Sequence, residues 1–221
     1  MPRRRFVFFD VGNTLLFPNL ERILQPLPNE QRPSLAEWQA IERRTKHAFD
    51  DRMSEGIADH GFWWMFHTSL LEERNALNDE LRAALVENMR HSANWDRMLP
   101  GTCEALQRIG AEYGTAVISN ADGKIETTLA LCGIAGCFKS ITDSGSIGYE
   151  KPHPVIFDAG LREMKANANE SLYVGDVYSV DYVGAKNAGM DAVLFDVAGA
   201  YLDRGLPRVE SLAQLEDWLK N

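Results

Sequence analysis

The segment FVFFDVGNTLLF, residues 6–17, places Asp10 directly after four apolar residues and directly before a Val-Gly-Asn turn. Consecutive β-branched and aromatic side chains are typical of a strand that is buried on both faces. A single aspartate at the end of such a strand is most often a turn or cap residue. Its role therefore depends on which other side chains the fold brings to the same place.

The rest of the chain predicts an α/β fold. Short runs rich in β-branched or aromatic residues predict five strands, at 5–9, 115–118, 138–141, 172–174 and 192–195. Helical patterns lie between and around them, at 102–109, 125–131, 154–164 and 180–188. This alternation predicts a Rossmann-like parallel sheet with helices on both faces.

The interval from Phe17 to about Leu99 shows no convincing strand. A capping box, Ser34 to Glu37, opens a stretch with apolar residues at helical spacing, and Leu81 lies in a second helical pattern. An interval of this length is too long for a plain loop. It predicts an all-helical subdomain, residues 17–98, inserted into a core formed by residues 1–16 and 99–221.

Composition restricts the partners. Among 221 residues, 23 Lys and Arg stand against 32 Asp and Glu, a net charge of −9, and the one basic cluster is residues 3–5. We therefore expect no nucleic-acid partner, and no apolar stretch is long enough to predict a membrane span. The three cysteines are odd in number and form no CxxC motif, which favours buried, reduced thiols in a cytoplasmic protein. The oligomeric state has no sequence signal.

Polar side chains follow several of the predicted strands. The carboxyl ends of parallel strands meet at one edge of a sheet, where ligands bind and helix N-termini point. We expect these residues to meet there: Asp10, Ser119, Asn120, Lys151, Asp176 and Asp181. Taken singly, each is explained at least as well by a turn, a cap or a solvated loop.

Together, these residues suit phosphoryl transfer. One carboxylate can attack, a hydroxyl and an ammonium can hold anionic oxygens, and Asp176 can share a divalent cation. In such reactions positioning and charge neutralisation supply most of the catalysis. Asp181 falls in the first turn of the helix after Asp176 and can support the same cation.

Four ordered segments resemble the motifs of the haloacid dehalogenase-like hydrolase superfamily. They are FFDVGNTLLF at 8–17, VISNADG at 117–123, GYEKPHPVIF at 148–157 and YVGDVYSVDYVGAKNAGM at 173–190. The resemblance covers residues 5–17 and about 99–196. The helical interval takes the position of that superfamily's cap.

The resemblance implies a Mg²⁺-dependent phosphatase that acts on a small phosphorylated metabolite. Asp10 would attack phosphorus and become an aspartyl phosphate, and Ser119, Asn120 and Lys151 would bind the phosphoryl group. Mg²⁺ would be held by Asp10, the main-chain carbonyl of Gly12, Asp176 and Asp181. These ligands and roles are implied by the resemblance.

One position departs from that pattern. Phosphatases of the superfamily usually carry a second aspartate two residues after the nucleophile as general acid and base, and this chain has Gly12 there. Alkyl phosphates should then react slowly, whereas acyl, aryl and anhydride phosphates should suffer less. The candidate substitute donors are Asp122, His60, His67 and His153.

Three alternatives follow from the same residues. A dehalogenase of the superfamily needs no metal, but it characteristically lacks the Gly175-Asp176 pair. A phosphonate-cleaving enzyme needs a lysine in the insertion, and Lys46, the one lysine there, lies in a polar run that favours a solvated position. A degenerate member would bind metal and phosphate without turnover.

The aromatic cluster GFWWMF, residues 61–66, is explained equally by core packing and by a substrate-facing surface.

Overall fold

The computed structural model describes residues 4–55 and 61–220. Its strands are β1 (Phe6–Phe9), β2 (Phe17–Pro18), β3 (Trp95–Arg97), β4 (Gly114–Ser119), β5 (Ile141–Asp143), β6 (Ser171–Gly175), β7 (Asp191–Phe195) and β8 (Arg208–Val209). Six of them form one parallel sheet in the order β5-β4-β1-β6-β7-β8. The predicted parallel sheet is confirmed, and β1 lies at its centre.

The described ranges contain ten α-helices, which surround or extend this sheet. They are α1 (Leu20–Ile23), α2 (Leu35–Ser54), α3 (Phe62–Glu73), α4 (Asp79–Arg90), α5 (Thr102–Glu112), α6 (Ile125–Leu131), α7 (Ser144–Ile147), α8 (Pro154–Met164), α9 (Val183–Asn187) and α10 (Leu212–Lys220). Val7 and Phe9 of β1 pack with α5, α6 and α10, whereas Phe8 packs with α8 and α9. Because alternate strand residues face opposite sides, the sheet is covered on both faces, as predicted.

In its described part, the interval predicted as an insertion contains the four α-helices α1 to α4. Its two ends also form short strands, β2 and β3, which pair antiparallel and were not predicted. This ribbon brings Trp95 back beside the turn that follows β1. The boundary at residues 17–98 stays a prediction.

The structure differs from the sequence prediction at several other points. The strand predicted at 138–141 begins only at Ile141, and Phe138 instead contacts Phe9 edge-on with ring centroids 6.1 Å apart. Neither β8 nor α10 was predicted. Cys103, Cys132 and Cys137 are free thiols that are partly exposed rather than buried. No helix in the described ranges is long and apolar enough to cross a membrane.

Candidate active site

The carboxyl ends of three adjacent strands bring the predicted site residues together. Asp10 follows β1, Ser119 ends β4 and Asp176 follows β6. One carboxylate oxygen from each of Asp10, Asp176 and Asp181 lies within 4.8 Å of the other two. The sheet order explains why Asp10, Ser119 and Asp176 converge, since β4, β1 and β6 are neighbours.

Asp10 is buried, with 7% of its surface exposed. Its Oδ1 accepts hydrogen bonds from Ser119 Oγ at 3.2 Å and from Lys151 Nζ at 2.7 Å. Burial raises the pKa of Asp10, and Lys151 opposes that rise. Both side-chain donors are directed at Oδ1, so among the described residues no side chain donates a hydrogen bond to Oδ2.

Lys151 lies at the centre of the polar network. Its Nζ also contacts Asp181 Oδ1 at 2.7 Å and the hydroxyl oxygen of Tyr173 at 2.8 Å. That hydroxyl donates to the carbonyl oxygen of Ile118 at 2.7 Å, so its lone pair is directed at the ammonium group. Burial alone would lower the pKa of Lys151, but Asp10 and Asp181 more than reverse this effect, and the pKa lies well above its usual range. Lys151 is therefore charged and fixed, and it is not a solvated loop lysine.

Asp176 contacts a residue that the sequence analysis placed in solvent. Lys46 on α2 is only 1% exposed, and its Nζ lies 2.9 Å from Asp176 Oδ2 and 2.8 Å from Glu42 Oε1. The prediction of a solvated Lys46 was wrong, because α2 docks this face of the helix onto the carboxyl edge of the sheet. Asn13 Nδ2 also donates to Asp176 Oδ2, at 3.3 Å.

The buried charges of the site do not balance. Four carboxylates (Asp10, Asp176, Asp181 and Glu42) face two ammonium groups (Lys46 and Lys151). Burial, together with the neighbouring Asp181 and Asp10, raises the pKa of Asp176 to about 7, although Lys46 opposes the rise. Uncompensated buried negative charge is costly. An all-oxygen donor set in which carboxyl groups outnumber ammonium groups fits a hard divalent cation such as Mg²⁺.

The loop after β6 positions Asp181. Its Oδ2 accepts the main-chain N–H of Val177 at 2.9 Å, within a single π-helical turn at Tyr178–Tyr182. A Cβ at Gly175 would lie 2.5 Å from Asp181 Cγ, so only glycine allows this approach. Asp50 of α2 accepts the N–H of Ser179 at 3.0 Å, which fastens α2 to the same turn.

Asn120 positions the loop that carries Lys151. Its amide oxygen accepts the N–H of Lys151 at 2.7 Å, and its Nδ2 donates to the Lys151 carbonyl oxygen at 3.1 Å. This reciprocal pair holds the lysine main chain against the end of β4. Both functional groups of the Asn120 side chain are used in this way, so its predicted contact with substrate stays a prediction.

The predicted substitute proton donors have different environments. Asp122 accepts from Ser92 Oγ and from the N–H groups of Ser92 and Lys124, and these bonds outweigh partial burial and lower its pKa. His67 is 0% exposed, does not line the cavity at Asp10, and has a pKa lowered by burial to about 3. His153 is exposed at the rim of that cavity. His60 lies outside the described residues.

A cavity of about 1030 Å³ opens over Asp10 between the sheet edge and the helices of the insertion. The aromatic residues of the GFWWMF segment have different environments, which depend on the face of α3 from which each side chain projects. Phe62 and Trp63 line the cavity, whereas Phe66 is fully buried in the core. Trp64 points away, and its ring stacks under the guanidinium group of Arg82 at 3.9 Å.

Trp95 packs beside Gly12, the position at which the usual second aspartate stands. A Cβ at Gly12 would be 3.4 Å from the Trp95 ring, and the indole Nε1 donates to the carbonyl oxygen of Met89 at 2.9 Å. The main-chain φ of Gly12 lies outside the left-handed region. The indole therefore limits what could replace Gly12, and the backbone does not.

Sequence comparisons relate the whole arrangement to known proteins. The family model described as haloacid dehalogenase-like hydrolase matches residues 5–189. The chain is 31% identical over 141 residues to haloacid dehalogenase-like hydrolase domain-containing protein 3 of Xenopus laevis; the match spans 60% of this chain and 56% of that protein. Its human counterpart is 28% identical, over 86% of this chain and 81% of the human protein. Glyceraldehyde 3-phosphate phosphatase of Pyrococcus furiosus is 27% identical, over 88% and 82% of the two chains.

Solved structures share the fold. The HAD-hydrolase YfnB of Bacillus subtilis, in a magnesium-bound crystal structure, matches with a TM-score of 0.72 and 18% identity over 99% of this chain and 100% of that chain. L-2-haloacid dehalogenase of Xanthobacter autotrophicus matches with a TM-score of 0.62 and 16% identity over 99% of both chains. At these identities the matches show the fold alone.

Proposed function

The chain belongs to the haloacid dehalogenase-like hydrolases, and from that premise we propose that it is a Mg²⁺-dependent phosphatase that acts on a small phosphorylated metabolite. The observation that carries this proposal is the buried cluster in which Lys151 Nζ lies 2.7 Å from both Asp10 and Asp181, beside Asp176. It combines a nucleophile, an anion-binding cation and a carboxylate set for a metal ion. A cytoplasmic location stays part of the proposal.

The proposed reaction starts at Asp10. Its Oδ2 attacks phosphorus, the bond from phosphorus to the leaving oxygen breaks, and the electron pair departs with that oxygen. The resulting aspartyl phosphate is then cleaved by water, which releases inorganic phosphate and restores the carboxylate. Splitting the displacement into two steps requires a nucleophile that is held in line, and Ser119 and Lys151 hold Asp10 by its other oxygen.

Ser119 and Lys151 would also face the phosphoryl oxygens. A preorganised ammonium group in a buried site stabilises developing negative charge more strongly than it would in water. Asp10, Asp176, Asp181 and the carbonyl of Gly12 would hold Mg²⁺, which neutralises charge on the phosphoryl group when bound. The excess of buried carboxyl groups over ammonium groups in the cluster supports this assignment.

Support for the substrate class is less specific than support for the reaction. One group of relatives is named glyceraldehyde 3-phosphate phosphatase, and the cavity over Asp10 is large enough for a small organic phosphate. Phosphate esters of small metabolites are therefore the proposed substrates. The oligomeric state does not enter the proposal.

The runner-up is a 2-haloacid dehalogenase, in which Asp10 would attack carbon without a metal. One contact favours this alternative: the ammonium group of Lys46 lies beside Asp176 and already places a cation next to a candidate metal ligand. The remaining excess of carboxylates favours the phosphatase. The third candidate function is that of a protein that binds metal and phosphate without turnover.

One assay separates these functions. Release of phosphate from acetyl phosphate is measured with and without Mg²⁺, and release of halide from 2-chloropropionate in parallel, for the wild type, Asp10→Asn and Asp158→Asn. Asp158 is an exposed acid on α8 and serves as the matched control. We expect Mg²⁺-dependent phosphate release in the wild type and in Asp158→Asn, and none in Asp10→Asn. Halide release, or no turnover of either compound, would refute the proposal.

A further inference from the structure

We propose that the substrate of this site is an aryl phosphate, an ester whose leaving group is an aromatic hydroxyl. The inference rests on the proposed phosphatase function and names its substrate class. Two observations carry it independently. One is the shape and chemistry of the cavity wall, and the other is the missing side chain at Gly12.

Four aromatic rings form a continuous wall that starts beside the nucleophile. Trp95 contacts the Gly12 turn, Trp63 lies against Trp95 with ring centroids 5.6 Å apart, Phe62 follows at 4.9 Å, and Phe49 at 5.6 Å from Phe62. All four line the cavity that contains Asp10. Edge-to-face contacts of this kind hold aromatic rings in place. The wall is therefore a fixed surface on which a planar ring can pack.

Among its described residues, the insertion contributes little else to this cavity. Eight described residues of the interval 17–98 line it, and six of them are aromatic or methionine. The other two are Arg90, which is exposed, and Ser92, whose hydroxyl is already bonded to Asp122. A hydroxylated alkyl phosphate needs hydrogen-bonding groups placed at its hydroxyls. Among the described residues, this surface offers the Arg90 guanidinium group and otherwise mainly apolar side chains, and the cavity volume of about 1030 Å³ exceeds what a three-carbon ester fills.

The lack of an acidic side chain at Gly12 favours the same substrate class, aryl phosphates. Release of an alkoxide requires a proton from the enzyme, whereas an aromatic oxygen leaves as a delocalised anion and is protonated afterwards by water. Of the other groups at the cavity, Asp122 is held by three donors, and His153 lies exposed at the rim with its Nδ1 accepting the N–H of Val155 at 3.3 Å and its ring tilted against Tyr149 at 4.5 Å. Gly12 itself supplies no acid, which favours esters whose leaving group needs none.

The step balances without a further reactant. Asp10 forms a bond to phosphorus, the bond from phosphorus to the aryl oxygen breaks, and the electron pair leaves with that oxygen. Water then cleaves the aspartyl phosphate. The products are inorganic phosphate and the free aromatic alcohol.

Four compounds test the inference in the wild-type enzyme with Mg²⁺. Acetyl phosphate has a good leaving group and no ring, so its hydrolysis reports the phosphatase function alone. Phenyl phosphate has both features, benzyl phosphate has a ring on an alkyl oxygen, and glycerol phosphate has neither. We expect kcat/KM for phenyl phosphate to exceed that for glycerol phosphate by at least about a hundredfold. Benzyl phosphate should compete with phenyl phosphate roughly tenfold better than glycerol phosphate does.

Two neighbouring tryptophans of α3 provide the matched variants. Trp63 lines the cavity, whereas Trp64 is 43% exposed and points away from it. Trp63→Ala should lower the ratio of kcat/KM for phenyl phosphate to that for acetyl phosphate roughly tenfold. Trp64→Ala should keep the wild-type ratio.

The outcomes separate the two proposals. Failure to hydrolyse acetyl phosphate would overturn the phosphatase function itself. Hydrolysis of acetyl phosphate, combined with equal kcat/KM for glycerol and phenyl phosphate, would keep that function and overturn the aryl specificity. An unchanged ratio in a folded Trp63→Ala protein would likewise overturn the role of the aromatic wall, and the wild-type comparison decides the matter if that variant does not fold.

Discussion

Lys46 Nζ lies 2.9 Å from Asp176 Oδ2, so a lysine of the inserted helices reaches a candidate metal ligand of the core. The ammonium is also paired with Glu42 at 2.8 Å and is only 1% exposed. Burial by itself would lower the pKa of Lys46, but Asp176 and Glu42 raise it well above its usual range. A permanent positive charge therefore lies beside the place proposed for Mg²⁺.

Replacing Lys46 by methionine should tighten Mg²⁺ binding roughly tenfold, because a unit charge that repels the ion and competes for Asp176 is removed. Titration calorimetry of the folded protein measures the change directly. A double variant, Glu42→Gln with Lys46→Met, avoids leaving Glu42 unpaired. Lys139→Met, an exposed lysine near the opposite edge of the sheet, should bind Mg²⁺ like the wild type. Equal or weaker binding in both Lys46 variants would contradict the proposed position of the ion.

The hydroxyl of Ser119 should matter for turnover. It donates to Asp10 Oδ1 at 3.2 Å and faces the cavity. Ser119→Ala should lower kcat for acetyl phosphate about 10²-fold, in the range found when one oxyanion donor is removed. The exposed Ser146 supplies the control Ser146→Ala. If both variants kept wild-type kcat, Ser119 would not contact the reacting group.

An aspartate at position 12 should not by itself restore an acid. Its Cβ would lie 3.4 Å from the Trp95 ring, in van der Waals contact, so the indole borders the space that the carboxylate must enter to reach the leaving oxygen. Gly12→Asp should therefore leave glycerol phosphate turnover unchanged or lower. Gly12→Asp with Trp95→Leu should raise it about 10²-fold over Trp95→Leu alone. A gain of that size in the single variant would show that Trp95 is not the obstacle.

Much of the site could be predicted from sequence because it follows from topology. Asp10, Ser119 and Asp176 lie at the ends of neighbouring parallel strands, and any parallel sheet brings such ends to one edge. Tyr173 and Asn13 were missed, although both lie inside the quoted motifs. Their roles depend on the direction of one hydroxyl and one amide, which no spacing pattern specifies.

The contribution of the insertion could not be predicted in the same way. Lys46 lies in the polar run Arg43-Arg44-Thr45-Lys46, and which face of α2 is buried depends on how α2 docks against the turn at Ser179. A signal did exist: Glu42, Lys46 and Asp50 recur every four residues and so share one helix face. Trp95 gave no such signal, because its contact with Gly12 arises only from the unpredicted pairing of β2 with β3.

His67 should make stability depend on pH. It is fully buried among Trp38, Trp63 and Phe66, and neither ring nitrogen has a hydrogen-bond partner among the described residues. Burial lowers its pKa from 6.5 to about 3. Between pH 6.5 and pH 3 the His67 side chain is therefore protonated in the unfolded chain and neutral in the folded protein. The free energy of unfolding is not reduced by this difference above pH 6.5, and it decreases as the pH falls toward 3.

Replacing His67 by phenylalanine should remove that dependence. Between pH 7 and pH 5 the wild type should lose about 2 kcal/mol more unfolding free energy than His67→Phe. Urea unfolding at the two pH values gives the difference. Parallel losses in the two proteins would mean that His67 is protonated in the folded state.

The most direct test of the account is whether Asp10 carries the phosphoryl group during turnover. The enzyme is mixed with acetyl phosphate and Mg²⁺, quenched in acid within one turnover, digested and examined by mass spectrometry. We expect the mass of one phosphoryl group on the peptide that contains Asp10, absent without Mg²⁺ and absent in Asp10→Asn. Phosphate release at the wild-type rate in Asp10→Asn, or a phosphoryl group on another residue, would contradict the account.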